Sequence, residues 1–93
     1  MGLLVVLDEA VATLRAPLGE DDRAQGWTDD LRREVQAEIS INRSVLRRHG
    51  MDMVRHLRPR FDDWMEHEGV QSGPLRDLVE NVQRSLVKAR AAA

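Results

Sequence analysis

Residues 28–50 read TDDLRREVQAEISINRSVLRRHG, and this stretch decides the fold class. Thr28 is a side chain that caps a helix start, and Asp29 and Asp30 suit the positive end of a helix dipole. Leu31, Val35, Ile39 and Leu46 then recur at helical spacing, flanked by Ile41 and Val45. At roughly 100° per residue they cover about 160° of arc. Gly50 supplies the stop after His49. The spacing predicts one long amphipathic helix over about 28–49. Its apolar arc also takes in Glu38, Asn42 and His49. These three are expected to form a buried polar network that sets helix register, the alternative being that the arc is only partly buried and they reach water.

Toward the N-terminus, Leu4, Leu7, Val11, Leu14 and Leu18 alternate at steps of three and four, widened by Leu3, Val5 and Val6. That is a helical stripe over about 3–16, with Pro17 where it must end. Residues 19–26 are polar and bounded by glycines, which predicts a loop over 17–27. The first helix is apolar on most sides, so it is expected either at the centre of the domain or in a contact between copies. We expect the contact between copies, with Leu4, Leu7, Val11 and Leu14 as the self-association residues.

Toward the C-terminus, Val54, Leu57, Phe61, Trp64 and Met65 form a third stripe, over about 53–68, with Asp52 as its N-cap. Pro59 keeps the phase of that stripe but forces a kink or break there, since Arg58 before it is pushed from helical geometry. Ser72-Gly73-Pro74 opens a fourth helix, over about 74–90, carrying Leu75, Leu78, Val79, Val82, Leu86 and Ala89. Glu80 and Arg84 are spaced as an ion pair on its outer side. No strand pattern or internal repeat occurs. The expectation is an all-α, compact four- to five-helix bundle forming a single domain of 93 residues.

Charge is segmented along this frame. Residues 1–42 carry four bases and nine acids, 43–60 six arginines and Asp52, and 61–71 four acids with no lysine or arginine. The near-neutral total, net −2, hides a basic block between two acidic stretches. Arg43, Arg47, Arg48, Arg55, Arg58 and Arg60 are the candidate partner-binding residues. Three readings compete: intramolecular pairing, docking on an acidic protein surface, and nucleic-acid or nucleotide binding. The chain is net acidic, no nucleic-acid motif is present, and Trp27, Phe61 and Trp64 look like core or cap residues rather than stacking platforms. An acidic protein partner is therefore the favoured functional reading, with nucleic acid as the alternative.

Other chemistries have thinner support. Asp63 and His67 are four apart, as are Asp62 and Glu66, but helical di-metal sites need Glu-x-x-His pairs on several facing helices. A solvated acidic face is expected, with no metal and no cofactor. There is no cysteine, and no nucleophile stands in a recognisable triad or loop, so no enzymatic activity is expected. Leu3–Leu7 is too short to cross a bilayer and follows no basic segment, so neither a membrane partner nor a signal peptide is expected. The sum is a cytoplasmic, non-catalytic interaction module, an adaptor or inhibitor that forms homo-oligomers.

Overall fold

The side-chain oxygen of Thr28 accepts a hydrogen bond from the Leu31 amide at 3.1 Å, so the capping residue starts the central helix as its chemistry demands. In the computed structural model, which describes residues 2–57 and 60–92, the order is α1 (Leu3–Arg15), α2 (Glu20–Ala24), α3 (Asp29–His49), a 3-10 helix (Met51–His56), α4 (Phe61–His67) and α5 (Pro74–Ala92). The fold is all-α, and no strand occurs among the described residues. A 21-residue helix is about 31 Å long, and the molecule measures 39 × 22 × 21 Å, so α3 sets its length.

α1 packs against both α3 and α5. Asp8 of α1 meets Arg43 and Arg47, whereas Leu14 meets Arg32, so α1 and α3 run antiparallel. Leu7, Ala10, Val11 and Leu14 are fully enclosed, facing a core that includes Leu31, Val35, Ile39 and Leu46 from α3 and Val79, Val82 and Leu86 from α5. Of the two positions open to an apolar α1, the fold takes the central one.

The stretch 17–27, expected as loop, contains α2. Its polar composition hides the helix from a periodicity reading, because none of its residues is buried. Local hydrogen bonding builds it instead: the Asp22 carboxylate accepts from the Gly19 amide at 2.9 Å, and three acids sit in the first turn. α2 closes with Gly26 at φ 105°, while the Gly26 amide reaches Arg23 O and the Trp27 amide reaches Asp22 O. α4 closes in the same way, with Gly69 at φ 71°, its amide on Glu66 O and the Val70 amide on Met65 O. Both are Schellman turns, and each delivers the apolar residue after the glycine, Trp27 or Val70, into the core.

These two turns touch. A Cβ on Gly26 would stand 3.0 Å from the Gly69 carbonyl oxygen and 3.3 Å from Val70 Cα. The Gln71 amide donates to the Gln25 carbonyl at 2.7 Å, and the Arg76 guanidinium donates to the Val70 carbonyl. Residues distant in sequence are thereby locked at one end of the bundle.

The helix expected over 53–68 is two pieces. Gly50, at φ 83°, ends α3 and leads into the 3-10 turn, so Asp52 lies inside that turn rather than capping a helix. Leu57 is extended, and α4 begins afresh at Phe61. Arg58 and Pro59, where the kink or break was expected, lie outside the described residues. The apolar phase survives the interruption: Val54, Leu57, Phe61 and Met65 are all buried. α4 has no side-chain cap of its own, and Gln83 of α5 accepts from the Asp62 amide at 3.0 Å in its place.

Candidate interaction surface

α3 presents three flanks. One faces the core. A second faces α1 and carries Arg43 and Arg47. Both guanidinium groups reach the single carboxylate of Asp8, Arg43 at 3.3 Å and Arg47 at 3.1 and 2.8 Å to its two oxygens. Arg43 is the more enclosed, with its side chain 22% exposed against 57% for Arg47. One negative charge orders two positive ones, leaving a net cationic site whose outer member opens to water. Arg32, higher on this helix, is turned inward: it donates to Leu14 O at 2.8 Å and so caps the C-terminal carbonyls of α1.

The third flank is open among the described residues: Ala37, Ile41, Ser44 and Arg48 are exposed there, and Val45 at its edge is half-buried against the core. Arg48 lies there, in a shallow furrow with Ser40, Ile41, Ser44, Val45 and His49. Ile41 is 55% exposed, the most exposed large apolar side chain among the described residues. The partner-binding arginines are thus divided. Arg43 and Arg47 act together, Arg48 looks another way, and Arg55 and Arg60 are exposed on the connection beyond α3. Arg58 lies outside the described residues.

The α1 residues expected to mediate self-association are corrected by this geometry. Leu7, Val11 and Leu14 are wholly enclosed in the chain's own core, and Leu4 is half-buried against it, so that stripe has no face left for a second copy. The polar network is corrected as well. Asn42 is buried, Glu38 is half-buried and His49 is exposed. Among the described residues no hydrogen bond joins them, and Asn42 Nδ2 is enclosed without a partner. His49 shares its angular position with Asn42 to within about 20°, but it is the last residue of α3 and reaches water there, while Asn42 in mid-helix does not. Glu80 pairs with Arg76 at 2.9 Å rather than with Arg84.

On the acidic stretch, burial pushes the Asp62 carboxyl above its ordinary value of 3.8, Glu80 adds to the rise, and Arg76 opposes it. Its Oδ1 is enclosed and unpartnered. Among the described residues no three or more histidine, aspartate or glutamate side chains are grouped to hold a metal ion. No described helix is long and apolar enough to cross a membrane.

Two features escaped the sequence reading. Asp8 was an unremarked acid in a helix otherwise read for its leucines, and nothing local marks it as the anchor for arginines 35 and 39 positions later. The open stripe of α3 left a trace, since Ala37, Ile41 and Val45 recur every four residues, but Ile41 and Val45 read as flanks of the core face and an alanine carries no mark of its own. Compared with protein-family models, with curated proteins and with solved structures, the chain matches none.

Proposed function

We propose that this chain is a non-catalytic, cytoplasmic helical interaction module of adaptor or inhibitor type, which docks an acidic protein surface on the Arg43–Arg47 flank of α3 and associates with itself. The observation that carries the reading is the two-to-one pairing at Asp8. Holding one guanidinium by two carboxylate contacts lowers the conformational entropy lost when a second carboxylate arrives. Arg47 keeps open donors for it. The cationic excess steers an acidic partner and discourages a basic one. A cytoplasmic setting is in keeping with a chain that has no cysteine.

Nucleic acid remains the alternative for the same arginines, but the rings do not favour it. Trp27 and Phe61 are buried, and Trp64 is half-buried with its ring edge-on to Phe61, which leaves no open platform for base stacking.

The test is fluorescence anisotropy with a labelled poly-glutamate peptide and a labelled DNA duplex, both at low salt. The peptide is expected to bind saturably and to lose at least tenfold in affinity to Arg43→Glu/Arg47→Glu, with helicity checked by circular dichroism. Undiminished peptide binding by that double variant refutes the assignment. Tighter binding of the duplex than of the peptide replaces it with the alternative.

A further inference from the structure

The uncovered flank of α3 has an internal order. Glu34, Ala37, Ile41, Val45 and Arg48 fall on it, at −7, −4, 0, +4 and +7 relative to Ile41. Positions a heptad apart on a helix lie within about 20° of each other, so Glu34, Ile41 and Arg48 form one line. Reversing the stripe about Ile41 exchanges acid for base and alanine for valine. Among the described residues neither Glu34 nor Arg48 forms an ion pair, so both charges on this line are available to a second surface. The furrow beside Ile41 includes Ile41, Ser44, Val45 and Arg48, at i, i+3, i+4 and i+7. That diamond is the hole a facing helix fills with a side chain.

We infer that a second copy of this chain docks here, with the two α3 helices antiparallel and a twofold axis at Ile41. The arrangement sets Glu34 against Arg48 of the second copy twice, and Ala37 against Val45 twice, with the two Ile41 side chains meeting on the axis. A small residue faces a branched one, so the helices approach closely. Parallel docking instead places Glu34 on Glu34 and Arg48 on Arg48, and like charges reject it. One helix face is a small interface, so the dimer is weak and in exchange with monomer. The inference specifies the self-association in the reading above and leaves the Arg43–Arg47 flank free for the acidic partner.

Sedimentation velocity across a concentration series tests it. The wild type is expected to pass from monomer to dimer as concentration rises, and less so at high salt. Ile41→Glu, at an exposed position, is expected to stay monomeric. Glu34→Arg and Arg48→Glu are each expected to weaken the dimer at least tenfold. The two single variants mixed, or the double exchange Glu34→Arg/Arg48→Glu, are expected to restore it, because the opposed charges are complementary again. A wild type that remains monomeric, or a dimer indifferent to Ile41→Glu and to the charge exchange, overturns the inference. Poly-glutamate binding measured on Ile41→Glu separates the two proposals. Loss of the dimer with peptide binding intact places the dimer alone on the α3 stripe, and a rescued dimer in a protein that ignores the peptide removes only the acidic-partner reading.

Discussion

Asp62 shows how a single residue takes its chemistry from its neighbours. Its amide is satisfied by Gln83, but one carboxylate oxygen is enclosed with no donor, beside Glu80. The folded state therefore favours the protonated form and raises the pKa above 3.8. Between 3.8 and that raised value the folded chain binds more protons than the unfolded one, so this group's contribution to stability falls as pH rises through the window. At neutral pH the ionised carboxylate opposes folding. Asp62→Asn is expected to melt higher than the wild type at pH 7, and the gain should vanish below the ordinary carboxylate value of 3.8. Thermal melts across pH check this, and equal melting temperatures at pH 7 contradict it. The carboxylate was legible in the sequence as part of an acidic run. Its enclosure was not, because Gln83 and Glu80 approach from α5.

Among the elements, the short ones depend most on their ends. α2 and α4 have five and seven residues, too few for helix propensity to hold them in water. Their Schellman glycines, their acidic first turns, the Asp22 cap within α2 and the Gln83 cap that α5 lends α4 sustain them. The two glycines are not equivalent. Gly69 needs only its positive φ, since nothing lies within 4 Å of an added Cβ. Gly26 needs its positive φ and also the space that the Gly69–Val70 backbone occupies. Gly69→Ala should cost about 1–2 kcal/mol from left-handed strain. Gly26→Ala should cost about 1–2 kcal/mol more, because backbone atoms must move to admit the methyl group. Chemical denaturation of both variants measures the difference, and equal losses mean that the two turns do not constrain each other. Both glycines were visible in the sequence as helix breakers. Their mutual contact depends on a packing of turns 43 positions apart, which no local pattern encodes.

At the scale of the whole molecule, the decisive arrangement is α1 between α3 and α5. Its stripe of Leu7, Ala10, Val11 and Leu14 is consumed internally, so substitutions there act on folding rather than on association. Leu7→Ala is expected to destabilise the chain by about 2–5 kcal/mol, as for a fully enclosed leucine. Urea denaturation reads this at a concentration where the chain is monomeric. A variant that keeps wild-type stability while losing the dimer returns self-association to α1.

The amino-acid sequence by itself determined the helical class and most helix ends. Thr28, Gly50 and Pro74 act within a turn of their own backbone, and the apolar spacing of α1, α3 and α5 reports local geometry that holds whatever the neighbours are. Only the tertiary structure decided which apolar stripe is inside, which arginines are already paired and which flank of α3 stays open. Burial and ion pairing belong to pairs of residues: Asp8 meets Arg43 and Arg47 only once α1 lies along α3, and Asn42 is enclosed while His49, on the same predicted arc, is not. A stripe states that a face wants cover, and the packing of the other helices settles which face receives it.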